Sequence, residues 1–238
     1  MFPMIQESCG DVEFEIIAVG PCLPDKSLEQ HLNFRYVRDF GCPSRSLMIA
    51  SELAIGKYIC WFPSDCNIFP NTLKDSINLL ESKDCVDGMT LLYSEGPGYT
   101  GEQHNQNWYW FIVNHGTPPK WTKKSYQIAP IFLYPLDRFR QLGGIDCTFW
   151  HINMNTHNLA FRFQENGGKM HFSPARVFAA NWHPWTGGEG EIMRITYETN
   201  DNPKWLAMWN GEEFPELNWT TNTWKLSNPY WELRYAKQ

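Results

Sequence analysis

The stretch Gly56-Lys57-Tyr58-Ile59-Cys60-Trp61-Phe62-Pro63-Ser64-Asp65 decides the fold. Tyr58 to Phe62 is an unbroken apolar and aromatic run, closed by Gly56 on one side and by Pro63-Ser64 on the other. Such a run between turn residues reads as a strand buried on both faces. It stops on one carboxylate, Asp65. In open α/β sheets, ligands bind in the crevice beyond the carboxyl ends of the strands. An acid at that point is suited to hold a hard cation and, through it, a phosphate.

The segments on either side extend this pattern. Toward the N-terminus, Glu15-Ile16-Ile17-Ala18-Val19-Gly20-Pro21 reads as a strand stopped by a Gly-Pro breaker, and Phe34-Arg35-Tyr36-Val37 as a short strand. Ser44 to Ile55 reads as a helix with Leu47, Ala50, Leu53 and Ala54 on its apolar face, ended by Gly56. Beyond Asp65, Asn71 is expected to cap a helix that turns Leu73, Ile77 and Leu80 inward. Val86 to Tyr93 is the next strand. This β-α-β-α-β order predicts an α/β fold, a mixed and mostly parallel sheet flanked by helices.

Residues 94–126, rich in Gly, Pro, Asn and aromatics, show few regular elements, and an irregular stretch of that length is more often functional than filler. Order returns with a strand over Ile128 to Tyr134 and a short helix carrying Leu136, Phe139 and Leu142, which ends at Gly143-Gly144. A helix from Asn158 to Asn166 ends at Gly167-Gly168, and Met170 to Val177 reads as a further strand. The tail from about 187 is polar and Trp-rich, interrupted by Pro203, Pro215 and Pro229. We take 1–186 as one domain and 187–238 as an extension packed on it.

Composition narrows the function classes. With 42% hydrophobic and 19% charged residues, the chain can build a substantial core and is not globally disordered. A net charge of −6 argues against a nucleic-acid partner, which calls for a basic face. No stretch approaches the ~18 apolar residues of a membrane span, and the N-terminus lacks the basic and apolar regions of a signal peptide. The seven cysteines (9, 22, 42, 60, 66, 85 and 147) form no CxxC pair and no zinc spacing, and read as reduced thiols of a cytoplasmic protein. Asn218-Trp219-Thr220 fits a glycosylation acceptor, but nothing else points to secretion. Hydrolase elbows, P-loops and dinucleotide fingerprints have no counterpart in the chain.

Five pieces, in order, resemble a GT-A glycosyltransferase, and most closely the inverting family 2 group with its viral, phage and bacterial relatives. They are Glu15-Ile16-Ile17-Ala18-Val19-Gly20; Ala54-Ile55-Gly56-Lys57-Tyr58-Ile59; Pro63-Ser64-Asp65; Phe132-Leu133-Tyr134 through Leu142-Gly143-Gly144-Ile145-Asp146; and Leu159-Ala160-Phe161-Arg162 with Gly167 and a strand reaching His183. The resemblance spans roughly residues 13 to 183. It implies transfer of a sugar from a UDP- or GDP-sugar donor to a glycan or other hydroxyl acceptor, assisted by Mn²⁺ or Mg²⁺. It matches Asp65 and His183 to the metal ligands. With it we place Ser64, Asp65, Gly20 and Gly144 on the donor side, joined by Arg45 from its helix start, and Gly143 and Trp150 on the acceptor side, joined by Trp110 as a stacking ring.

The chain departs from the family pattern in three places. Pro63 replaces the first acid of the family's DxD motif. Asn155 and Thr156 stand where the family carries its acidic pair and catalytic base, and Trp150 and Asn158 replace further acids of related sequences. Asp146 and His157 are the nearby titratable candidates for catalysis. The family's base-lining first strand is also expected to be missing, because Met1 to Gly10 supplies only part of the helix that follows it.

Further candidates are Ser44 and Arg45 at a helix start facing a phosphate, and Trp108-Tyr109-Trp110 as a stacking wall. Lys120, Lys123 and Lys124 form a basic loop, and Trp185 to Gly190 a glycine-rich closing loop. A catalytically weak or inactive GT-A-like domain that binds a glycan or a partner is the alternative reading. A nucleotidyltransferase of similar topology is a third.

Overall fold

Ile131 to Tyr134 alternate between two packed layers, and that alternation organises the molecule. The computed structural model describes residues 2–61, 66–83, 87–95, 127, 131–180, 192 and 194–209. Along the chain the elements are α1 (Phe2–Cys9), β1 (Ile16–Gly20), a 3-10 turn (Lys26–Gln30), β2 (Phe34–Arg38), α2 (Pro43–Leu53), β3 (Tyr58–Trp61), β4 (Cys66–Ile68) and α3 (Thr72–Glu81). They continue with β5 (Gly88–Glu95), β6 (Phe132–Pro135), α4 (Leu136–Gln141), α5 (Ile152–Glu165), β7 (Met170–Ala180), a π-helical turn (Tyr197–Asp201) and α6 (Asn202–Trp209). No helix among the described residues is long and apolar enough to cross a membrane.

β1 and β2 form a parallel pair, and the other five strands make a sheet in the order β3-β6-β5-β7-β4. Only β5 and β7 pair in parallel within that sheet, so β3, β5 and β7 run one way and β6 and β4 the other. The sheet is mixed, as expected, but less parallel in its ladders than the α/β alternation predicts. The reason is that β6 enters between β3 and β5 in reverse.

Successive side chains of a strand point to opposite faces. Phe132 and Tyr134 join Leu47, Met48, Ile59, Phe139, Leu159 and Phe163 under α2, α4 and α5. Ile131 and Leu133 join Ile5, Leu73, Leu80, Met89 and Leu91 under α1 and α3. Each fully buried side chain of this size contributes roughly 1.5–3 kcal/mol. The packing is tight at Gly88, where an added Cβ would lie 2.1 Å from the Tyr134 ring. Cys9, Cys22, Cys42, Cys60, Cys66 and Cys147 are free thiols. Burial pushes the Cys9 thiol up to about 11 and raises Cys60 and Cys147 further, so these thiols are unreactive.

Several expectations are corrected. β3 is covered on both faces but less fully than expected: Ile59 is buried in one core, while Tyr58, Cys60 and Trp61 are half-buried against the other, and among the described residues β3 pairs with β6 alone. α2 turns Leu47 inward as expected, and Ala54 packs partly buried against the same core, but its other buried residues are Ser44, Met48 and Ser51 rather than Ala50 and Leu53, and Leu53 is exposed. Small serines on that face admit the chain after α4, a packing role that hydrophobicity alone does not flag. Asn71 adopts a left-handed φ of 60° and makes no capping bond with its side chain. Ser8 of α1 caps α3 instead, its Oγ accepting from Leu73 N–H at 3.1 Å.

α5 begins at Ile152, not at Asn158. The tail also carries helix over 194–209, where Pro203 lies in the first turn of α6 and does not break it.

Candidate functional site

Glu15 sets the frame in which the site is built. Its Oε1 accepts the N–H groups of Ile55 at 2.7 Å and Gly56 at 3.1 Å, and its Oε2 takes Arg35. The residue before β1 is thereby tied to the residues before β3, and the two strands start at the same end. Their carboxyl ends, Gly20 and Trp61, therefore share the other end with those of β5 and β7. Gly20 O accepts Tyr36 Oη at 2.7 Å and Asp39 N–H at 3.1 Å, which closes the ends of β1 and β2 together.

α2 rises along this frame, and the chain after α4 climbs it step by step. Near the C-terminal end of α2, Arg140 donates to the carbonyls of Ser51 at 2.6 Å and Ala54 at 2.9 Å. Midway, Ile145 N–H meets Met48 Sδ at 3.1 Å. At the α2 N-terminus, Asn155 Nδ2 donates to Ser44 Oγ and, at 3.0 Å, to Phe149 O. The loop from Asp146 to His151 thus arrives at the sheet end where the strands finish, the place where α/β folds bind ligands.

Gly143 and Gly144 turn the chain with φ of 81° and 70°, a region costly for residues with a Cβ. Their N–H groups cap α4 on Arg140 O at 2.9 Å and Phe139 O at 3.0 Å. What they offer a ligand is a tight turn rather than open donors. Arg162 of α5 clamps this turn: Nη1 donates to Leu142 O, Nη2 to Gly144 O, and Nε to Asn158 Oδ1 at 2.8 Å. Burial pulls its guanidinium down to about 10, and Asp146 opposes that shift.

Asp146 is 2% exposed. Its Oδ1 accepts from Thr148 N–H at 2.9 Å and from Thr148 Oγ1 at 2.6 Å. Both bonds fall on Oδ1, which leaves Oδ2 for another group. Cys147 beside it feels both Asp146 and Arg45, so these two charges belong to one neighbourhood.

Arg45, expected to face a phosphate, shares its Nε between both Asp39 oxygens at 2.9 and 3.1 Å. Ser44 is buried on Asn155, not open at the helix start. His157 is 5% exposed inside α5, its ring 6.0 Å from that of Trp205. Asn155, Thr156 and Asn158 are fully buried, so the positions matched to the acidic pair hold packed neutral groups. Trp150 is half-buried.

Ser64, Asp65, Trp110 and His183 lie outside the described residues, as do Trp108, the Lys120 to Lys124 loop and the Trp185 to Gly190 loop. Among the described residues near them, Cys66, next to Asp65, pairs with Ala180, three residues before His183. The described residues hold no group of three or more His, Cys, Asp or Glu able to bind a metal.

Sequence reasoning missed Asp201. This residue of the π-helical turn is fully buried and accepts Trp150 N–H at 2.8 Å and His151 N–H at 2.5 Å, on the threshold of α5. A carboxylate there satisfies orphan donors and complements the positive end of the helix. It starts α5 earlier than periodicity predicts. Burial raises the Asp201 carboxyl against the lowering effect of these bonds. The only signal in the sequence is Asp201-Asn202-Pro203, which reads as a turn.

No family model matches the chain, and no curated protein matches it. Solved structures do. The crystal structure of S. aureus TarS 1-349 in complex with UDP-GlcNAc aligns with a TM-score of 0.52 at 15% identity, over 84% of this chain and 62% of that one. GalNAc-T7 with UDP, GalNAc and Mn²⁺ aligns with a TM-score of 0.50 at 13% identity, over 77% of this chain and 41% of that one. The chain has a GT-A-like fold. It spans less than two thirds of the length of these neighbours.

Within this GT-A-like frame, His151 gives a measurable pH response. Burial lowers its imidazole from 6.5 to about 4, so the folded protein holds it neutral where the unfolded chain protonates it. Stability is therefore lost as pH falls from about 6.5 toward 4, by up to about 3 kcal/mol. The raised Asp201 carboxyl acts in the opposite sense, favouring the fold as pH falls through the carboxylate range. Urea denaturation of wild type and His151→Gln across this range isolates the histidine limb. The variant is expected to show a flatter acid limb, and parallel curves would refute the assignment.

Proposed function

We propose that this protein is a glycosyltransferase that moves a sugar from a nucleotide-diphosphate sugar to a hydroxyl of a glycan acceptor. The observation that carries the reading is convergence. The Asp146 loop, the carboxyl ends of β1 and β3, and the ladder joining Cys66 to Ala180 all meet one end of a GT-A-like sheet. TarS and GalNAc-T7 are described with UDP and with GlcNAc or GalNAc groups, which supports a UDP-sugar as the donor class.

Asp65 and His183 are the residues that would hold Mn²⁺ or Mg²⁺; the chain leads from the paired residues Cys66 and Ala180 toward both. When bound, such a cation neutralises the charge that grows on the departing diphosphate. Gly20, Ser64, Arg45 and Gly144 border the donor, while Gly143, Trp150 and Trp110 border the acceptor. Asp146 Oδ2 accepts the proton of the attacking hydroxyl, while Thr148 holds Oδ1 in place. His157, the other titratable candidate, is buried in α5 with its ring 6.0 Å from that of Trp205. The free thiols fit a reducing, cytoplasmic setting.

A second reading rests on Asn155 and Thr156, where neutral side chains replace the expected acids. It takes the protein as a glycan-binding module with little catalysis. Thermal denaturation separates the two. UDP or GDP with Mn²⁺, at about a hundred times Kd, is expected to add about 2.7 kcal/mol of stability, and Asp65→Ala to abolish that gain. A shift with an oligosaccharide and none with any nucleotide would favour the binding module.

A further inference from the structure

We propose that Asp201 is a positioning residue for Asp146, so that the segment 194–209 is a working part of the candidate site rather than an appendage. The connection runs through consecutive bonds. Asp201 fixes the backbone of Trp150 and His151. Its neighbours fix Thr148: Asn200 Nδ2 and Lys204 Nζ both donate to Thr148 O, at 2.9 and 2.8 Å. Thr148 in turn holds Asp146 Oδ1 with two bonds. Asn200 Nδ2 also donates to Asp201 Oδ1 at 2.7 Å, which joins the two ends of the chain of bonds.

Packing holds the clamp against α5. The Trp205 ring stacks on Phe161 with centroids 5.4 Å apart, and Lys204 lies over the Phe149 ring at 5.0 Å. Three residues of one helical segment therefore determine where the carboxylate of a distant loop points. A purely structural brace would need the bonds to the α5 threshold only. The bonds to Thr148 O are what extend its reach to Asp146.

The inference rests on Asp146 acting as proposed above, and the test separates the two. Backbone amide hydrogen exchange is measured residue by residue in the full chain for wild type, Asp201→Ala and the double variant Asn200→Ala/Lys204→Met. Trp150, His151 and Thr148 amides are expected to exchange at least about tenfold faster in Asp201→Ala, with the β5–β7 ladder unchanged. The double variant, which keeps the buried carboxylate, is expected to accelerate Thr148. Faster exchange at Trp150 and His151 alone, or equal acceleration everywhere, would overturn the positioning role.

With UDP-GlcNAc as the probe donor, kcat in the double variant is expected to fall at least about tenfold while KM changes less than about twofold, as an aiming defect requires. A matched loss in both parameters would overturn the role. Absence of wild-type turnover with UDP- and GDP-sugars would overturn the reading of Asp146, while the exchange data still decide whether Asp201 holds the loop.

Discussion

Arg162→Met is expected to lower stability by about 3–5 kcal/mol, the cost of removing one member of a buried charged network. Arg162 is 4% exposed, and its guanidinium satisfies the carbonyls of Leu142 and Gly144 together with Asn158 Oδ1. Methionine fills similar volume but donates nothing, and each carbonyl left buried without a donor costs about 1–3 kcal/mol. For a chain of this size the melting temperature should drop by about 10 °C. Arg162→Lys should recover little, because one ammonium cannot span all three acceptors in the geometry of a planar fork. Circular dichroism melts of the two variants check this. A methionine variant that melts within about 2 °C of wild type would show that the turn stands without its clamp.

Asp146→Asn is expected to reduce sugar transfer by about 10²–10⁴-fold, the usual contribution of a positioned proton acceptor. The substitution is chosen because it separates chemistry from structure. An asparagine Oδ1 still accepts from Thr148 N–H and Oγ1, so the loop keeps its shape. Only proton acceptance is lost. Release of UDP from a UDP-sugar in the presence of a glycan acceptor reads the rate, and a thermal melt confirms the unchanged fold. A rate within about threefold of wild type would remove Asp146 from the chemistry and favour the binding-module reading.

The layers were readable in the sequence because they depend on local pattern. Glu15 to Pro21 and Phe34 to Val37 carry short apolar runs that become β1 and β2 almost to the residue. Leu136, Phe139 and Leu142 followed by two glycines gave α4 and its left-handed end. What failed was whatever a distant residue supplies. Asn71 has the chemistry of a cap, yet Ser8 does the capping because α1 lies across the start of α3. Periodicity does not show the start of α5, because Ile152 to His157 has no apolar period and the stabilisation comes from Asp201.

The candidate site divides in the same way. Asp146 and the glycine turn were visible as a motif, and the fold carries the chain after them along α2 to its N-terminus. The motif did not reveal that the turn's N–H groups are consumed within α4, that Arg45 is engaged by Asp39, or that His157 faces Trp205. Those outcomes depend on which partner the tertiary fold brings to each group.

By itself, then, the sequence determined most of the elements and the fold class, and singled out the Asp146 turn, because hydrophobic period and turn chemistry act over a few neighbouring residues. Tertiary structure alone decided the reversed entry of β6, the inward serine face of α2 and the hold of the 194–209 segment on the Asp146 loop. Those features are contacts between residues far apart in the chain, where the burial of one polar group is made tolerable only by the partner that folding brings to it.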